Sequence, residues 1–303
     1  MIRLVYSGPY DWPATLRFLS ARAVDGVEQV HGSLYRRTVR LGDQTGTLEL
    51  EPEMDGGAFR ALFHFAEPVD EPSAAARLRR MFDLDADLPV ITAHLGADPT
   101  MAPLVAARPA LRVMGGWDGF EVAVKSINGQ QISVDRARHL NGVLVERCGA
   151  VLADPAGTLW RIFPMPTELL RADLTGMGMP GARVATLQTM AESAMENPRL
   201  FDGGSSLDET IVRLRAIRGI GDWTAHYIAM RACRQPDAFP AGDVGLLRGA
   251  AEADGQRPAP ADLLARAEAW RPWRAYAAHH LWAADSAASG GVRRRPTPAK
   301  VGA

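Results

Sequence analysis

Two features of this 303-residue chain offer reactive or binding groups, a two-glycine turn and an isolated carboxylate. The turn lies in LRAIRGIGDWTAHYIAM, where Gly219, Ile220 and Gly221 separate two amphipathic segments. Glycines accept backbone angles closed to other residues, and Ile220 between them reads as a plug in the gap between two helices. A hairpin of this kind turns backbone amides outward, and the N-terminus of the next helix, from about Asp222, adds the positive end of its dipole. Together they can grip a phosphate without any basic side chain. Gly-x-Gly also serves ordinary helical hairpins, so the turn alone does not separate the two uses. The carboxylate is Asp243 in QPDAFPAGDVGLLRGA, at the end of a loop where a helix begins. Aspartate is a favoured N-cap there, and a cap and a catalytic acid are not exclusive. Just behind the turn, Trp223 and Tyr227 are four residues apart and fall on one helix face, as core or as the wall of a pocket.

These residues sit in an ordinary globular composition. Hydrophobic residues make up 47% of the chain and charged residues 23%, with 34 Lys+Arg against 35 Asp+Glu for a formal charge of −1. Bulk positive charge therefore does not hold this protein to a polyanion, and any such grip must be local. No uncharged apolar run of about 18 residues could cross a membrane, and the start, MIRLVYSGPYDW, has neither a basic n-region nor an apolar h-region. The expected location is the cytoplasm. Cys148 and Cys233 are too few for a disulfide framework or a four-thiolate site and read as small buried apolar residues. The histidines do not fall into metal spacing; His279 and His280 are neighbours that point to different helix faces, and no metal is expected.

The hydrophobic pattern predicts the helices and strands that carry the turn and the acid. Up to about residue 90, a helix in WPATLRFLSARAV and another in SAAARLRRMFDL accompany alternating runs in LYRRTVRLG, GTLELEPEM and AFRALFHFAE, which predicts an α+β domain with an antiparallel sheet. Beyond Pro89 the pattern is almost wholly helical, with three-four apolar spacing, short Gly/Pro connections and caps such as SSLDETIV. No internal repeat is visible. The C-terminal SAASGGVRRRPTPAKVGA, with Arg293, Arg294 and Arg295 together, reads as a disordered basic tail.

The hairpin LRAIRGIGDWTA followed by FPAGDVGLLR resembles the helix-hairpin-helix DNA glycosylase superfamily, in particular its 3-methyladenine DNA glycosylase II (AlkA-type) branch. The likeness extends through PYDWPATLRFLSARAV, RPALRVMGGWDGFEVAVKSINGQQISV, GMGMPGARVATLQTMA and AEAWRPWRAYAAHHLW, in that order. It implies an α+β fold with an N-terminal domain like half of the TATA-binding protein at 1–90. A helical domain with the hairpin would follow at 113–231. A second helical subdomain, from 91–112 and 232–285, would carry the acid, leaving 286–303 as the tail. The resemblance makes Asp243 the catalytic carboxylate, stabilising the oxocarbenium character that develops when an N-glycosidic bond breaks. Alkylated purines such as 3-methyladenine and 7-methylguanine carry positive charge and leave readily. The flipped base would enter a pocket of Trp223, Tyr227, Trp282 and Phe18, with Gln130 beside it. Aromatic faces attract cations by roughly 0.5–2 kcal/mol each, so the pocket is expected to favour cationic damaged bases. Gly219, Ile220 and Gly221, with Thr224 in the following turn, would contact DNA, and Gln131 would enter the duplex where some members carry an apolar wedge. Val244 stands where some relatives have an aromatic residue. Arg22 reads either as part of the cleft or as half of a surface ion pair. Trp273 and Arg274 are assigned to fixing the last helix.

Lyase relatives place a Schiff-base lysine where this chain has Trp223, so the implied enzyme is monofunctional and leaves an intact abasic site. No cofactor is expected apart from a monovalent cation held by hairpin carbonyls and bridging to a DNA phosphate. The expected partner is double-stranded DNA containing alkylated bases, bound by a monomer. A noncatalytic DNA-binding protein would keep Gly219 and Gly221 but would not need Asp243, and a glycosylase/lyase for oxidised bases is disfavoured by Trp223. Suicidal methyl transfer is not expected, since no cysteine-rich alkyl-acceptor segment precedes residue 1.

Overall fold

The computed structural model describes residues 1–251 and 255–292, the last five as backbone only. Its first part comprises β1 (Ile2–Val5), α1 (Trp12–Arg22), β2 (Glu28–His31), β3 (Leu34–Leu41), β4 (Gln44–Pro52), β5 (Ala58–His64) and α2 (Glu71–Phe82). The strands form one antiparallel sheet in the order β1-β5-β4-β3-β2. Leu4, Leu48, Leu50 and Phe59 from the sheet pack against Trp12, Leu16 and Leu19 of α1 and Leu78, Met81 and Phe82 of α2.

The remainder is mainly helical: α3 (Leu88–Gly96), α4 (Ala102–Ala107), α5 (Gly119–Asn128) and α6 (Val134–Cys148), then β6 (Val151–Ala156) and β7 (Leu159–Arg161). After them come α7 (Pro166–Arg171), α8 (Gly181–Glu196), α9 (Leu207–Arg215), α10 (Asp222–Arg231), α11 (Val244–Gly249), α12 (Pro260–Ala267) and α13 (Arg274–Val292). The helix starts follow local chemistry. Asp11, Asp70 and Asp87 each precede a proline by two residues, and each side chain accepts the amide three residues on, capping α1, α2 and α3. Ser206 and Glu209 close a reciprocal capping box at α9.

A second core runs through the helices and takes in Val24 and Val27, so the link from α1 to β2 is anchored in the helical part. The two parts are also joined by a buried ion cluster. Arg37 of β3 reaches Glu121 of α5 at 2.6 Å, and Lys125 holds Glu121 at 2.7 Å and Glu28 of β2 at 2.6 Å.

Two expectations are corrected. The chain beyond Pro89, expected to be almost wholly helical, also holds an antiparallel hairpin of β6 and β7 that the sequence reading did not include. It is held by tertiary partners: Trp160 and Arg161 donate their amides to Gly26 O, and Thr38 Oγ1 donates to Arg161 O. The expected tail at 286–303 begins too early, since α13 continues to Val292; residues 293–303, with the three arginines, lie outside the described residues. Among the described residues no helix is long and apolar enough to cross a membrane.

Candidate active site

Asp243 is the N-cap of α11, and its side chain serves more than the cap. Oδ1 accepts the Leu246 amide at 3.0 Å and the Trp282 indole N–H at 2.8 Å; Oδ2 accepts the Trp223 indole N–H at 2.7 Å. Donors from α10, α11 and α13 thus converge on one carboxylate and fix its plane, which is how a charged group is preorganised. Gly245 makes room for this arrangement, because a Cβ there would stand 3.0 Å from both Asp243 Oδ1 and Trp282 Cδ1. Nearby, Arg248 is engaged bidentately by Asp285 at 2.7 and 2.8 Å.

Around the acid is an aromatic cluster. Trp223 and Tyr227 are stacked with centroids 5.2 Å apart, and Trp282 meets Tyr227 edge-on at 6.1 Å. Phe18 of α1 joins through a buried cation. The Arg231 guanidinium lies 4.7 Å from the Phe18 ring centroid, 4.9 Å from that of Tyr227 and 5.8 Å from that of Trp282. Arg22 sits 4.2 Å from the Phe18 centroid and makes no ion pair among the described residues.

Arg231 is only 6% exposed. It donates to Met114 O at 2.7 Å and meets His279 Nε2 at 3.1 Å. The tautomer of His279 follows: Nδ1 faces Ala275 O at 2.8 Å and must carry the proton, leaving Nε2 to accept from Arg231. Burial, and then the neighbouring Arg231, push the His279 pKa well below the usual imidazole value. Burial alone would raise the Tyr227 phenol, but Arg231 and Arg22 outweigh it and hold the phenol below its ordinary value. Arg231, His279 and Gly245 were not anticipated. Arg231 follows Tyr227 by four residues, on the stripe already marked by Trp223 and Tyr227, and a charge on an aromatic stripe was the available signal.

The hairpin joins α9 to α10. Gly219 has φ +88°, and a Cβ there would fall 2.0 Å from Thr186 Oγ1 of α8, so both conformation and close approach require glycine. Ile220 is buried at 5% exposure and fills the space between the helices, as the sequence predicts. Its amide is not free for a phosphate, however, because it donates to Ile217 O at 3.0 Å. Gly221 is the N-cap of α10 and brings no side-chain acceptor, so the first-turn amides point outward uncapped. A Cβ at Gly221 would meet nothing within 4 Å.

Two further placements differ from expectation. Gln130 is expected beside the base, but its Nε2 donates to Gly219 O at 3.1 Å and Thr224 Oγ1 at 3.0 Å, clamping the hairpin. Thr224 is buried by that same contact, so its hydroxyl does not face outward. Gln131 is exposed, in the turn between α5 and α6, with φ +58°. Arg274 forks onto Asp237 at 2.7 and 2.9 Å and fixes the start of α13. Among the described residues no group of three or more metal-ligating side chains comes together.

The chain is similar in sequence and fold to known proteins. Residues 1–118 match the AlkA N-terminal domain, and residues 124–275 match the HhH-GPD superfamily base excision DNA repair protein. The DNA-3-methyladenine glycosylase 2 of Escherichia coli is 34% identical over 93% of this chain and 96% of its own length. A probable bifunctional transcriptional activator/DNA repair enzyme AlkA of Mycobacterium tuberculosis is 37% identical over 93% of this chain. The match takes in 56% of that relative, so the chain spans little more than half its length. Among solved structures, a 3-methyladenine DNA-glycosylase from Archaeoglobus fulgidus shares the fold with a TM-score of 0.83 at 21% identity, over 94% of this chain and 98% of that one. With both domains matched in order across nearly all of the described residues, the chain belongs to the HhH-GPD superfamily of base excision DNA repair proteins, with an AlkA N-terminal domain ahead of the helical one.

Proposed function

We propose that this protein is a monofunctional DNA glycosylase that hydrolyses the N-glycosidic bond of alkylated bases such as 3-methyladenine and 7-methylguanine. The observation that carries this reading is the Asp243 carboxylate, fixed by two indole N–H groups beside an aromatic cluster. As the bond from C1′ to the base nitrogen breaks, positive charge grows on the sugar; Asp243 stabilises that charge and orients the water that attacks C1′. The pair of electrons leaves with the base, and an alkylated purine needs little help in taking it.

The sequence relatives support the substrate class through what they are called: the E. coli relative is a DNA-3-methyladenine glycosylase. The monofunctional outcome rests on the amine supply. The chain holds two lysines, Lys125 and Lys300. Lys125 is bound between Glu28 and Glu121, and its pKa is raised because those carboxylates outweigh burial, which makes it a poor imine former. Lys300 lies outside the described residues.

Double-stranded DNA would lie across the hairpin, with phosphate at the uncapped amides of α10 and Gln131 entering the stack, and the protein would act as a monomer at the nucleoid in the cytoplasm. Ile217 O and Gly219 O each accept one hydrogen bond and keep a second lone pair. A monovalent cation bridging to the phosphate would be held by these carbonyls.

The test is incubation with methylated duplex DNA. Release of free 3-methyladenine and 7-methylguanine is expected, with strands that break only after alkali and no protein–DNA adduct on borohydride treatment. Spontaneous strand scission with a trapped adduct would contradict the monofunctional assignment, and no released base would contradict the activity.

A further inference from the structure

The aromatic cluster already contains its cations. Phe18 has two guanidinium groups within 4.7 Å of its centroid, Arg22 at 4.2 Å and Arg231 at 4.7 Å. Arg231 also lies against Tyr227 and Trp282. Among the described residues no carboxylate pairs with Arg231; its partners include the Met114 carbonyl, the neutral Nε2 of His279 and the Tyr227 hydroxyl, so no anion neutralises the charge that acts on the rings. Resting on the proposed glycosylase activity, we propose that Arg231, aided by Arg22, makes the base pocket blind to the charge of the damaged base, so that cationic and neutral bases of one shape bind about equally well.

A ring attracts a cation through the negative face of its quadrupole, and a cation already resting on that ring draws on the same electron density. A cationic base against this cluster of Trp223, Tyr227 and Trp282 would stand within about one Debye length of the Arg231 charge, across rings rather than water. Asp243 is a carboxylate of this pocket, and its oxygens already take three N–H donors; its charge offsets one of the two guanidinium groups. His279 adds no charge, being fixed as the Nδ1–H tautomer. The depressed Tyr227 phenol reports the same field, since two nearby cations overcome the effect of its burial. The rings then supply stacking area and shape, and preference for alkylated bases arises when the bond breaks, from the ease with which a cationic base departs.

The test compares two duplexes alike in shape. One carries 7-methylguanine, a cation, and the other 7-methyl-7-deazaguanine, its neutral isostere. Both have a 2′-fluoro-arabino sugar, which destabilises the oxocarbenium and prevents cleavage during the measurement. For the native full chain the two Kd values are expected to agree within about threefold. In Arg231→Met the cationic duplex should gain about tenfold over the neutral one, in Arg22→Met about threefold, and in Arg231→Lys the native ratio should persist. Because each ratio is taken within one protein, a general loss of affinity cancels, and the native ratio stands even if one variant does not fold. A native preference of tenfold or more for the cationic duplex would overturn the proposal, as would an Arg231→Met ratio unchanged from native. Either result leaves the glycosylase assignment standing. If neither damaged duplex bound above undamaged DNA, this proposal would fall, while release of free base from methylated DNA would still decide the glycosylase assignment.

Discussion

Asp243 is aimed by donors from three helices, so the reactivity of one residue depends on two indole rings it never meets in sequence. A hydrogen bond to a charged acceptor contributes about 1.5–3 kcal/mol. Trp282→Phe keeps most of the ring contact with Tyr227 and removes only the N–H on Oδ1. Single-turnover base release by this variant should fall about tenfold, with duplex binding little changed, because the carboxylate loses an anchor rather than the pocket a wall. An unaltered rate would show that the Leu246 amide and Trp223 suffice to hold the acid. At this scale the sequence was informative where side-chain type and helical spacing coincide, as for Asp243, Trp223 and Tyr227. It marked Arg231 only by a charge on the aromatic stripe, because a buried cation without a carboxylate violates the rule by which charged residues are read as surface. Gln130 was misplaced for a related reason: residue type does not say which of two adjacent polar sites, the pocket or the hairpin, an amide will serve.

The hairpin is the element on which binding turns, and its two glycines are constrained from opposite sides. Gly219 is enclosed, with φ +88° and Thr186 Oγ1 2.0 Å from where a Cβ would sit. Left-handed backbone costs about 1–2 kcal/mol for an L-residue, and the clash adds to it, so Gly219→Ala should lower unfolding free energy by at least about 2 kcal/mol in a denaturant titration. Gly221 has φ −83° and open space around it. Gly221→Ala should leave stability within about 0.5 kcal/mol of native yet weaken duplex binding, because a methyl group would project where a phosphate backbone must approach. Equal losses of stability in both variants would argue that Gly221 is a structural residue only. Helices and the three central strands were legible from capping residues and alternation. The four-residue strands β1 and β2 were not, and neither was the β6–β7 hairpin, whose order comes from Gly26 and Thr38, far away in the chain.

Across the whole molecule, charge is arranged in long-range buried sets that no local pattern reveals. Glu121 is 84 residues from Arg37, and burial would raise its carboxyl, but Arg37 and Lys125 bring it down to about 2. His280, buried against the Leu104 carbonyl, is lowered to about 4, chiefly by burial. Both groups favour high pH, in different windows. A folded-state imidazole below its unfolded value of about 6.5 leaves stability intact above that pH and withdraws it as pH falls toward 4, by about 2–3 kcal/mol for His280. The contribution of Glu121 is lost only lower, from its unfolded value near 4.5 toward 2. Urea titrations at pH 7, 5.5 and 4.5 should therefore show stability declining before any carboxylate cluster titrates, and a flat profile over that range would contradict the burial of His280. The domain order was legible because hydrophobic period changes along the chain; the ion cluster that locks the sheet to α5 was not. The complete protein is also where the central assignment is decided. Single-turnover release of 7-methylguanine from methylated duplex, measured for native protein and Asp243→Asn at saturating protein, should fall by roughly 10²-fold or more in the variant while duplex binding persists. An asparagine variant that releases the base at the native rate would contradict the role given to Asp243.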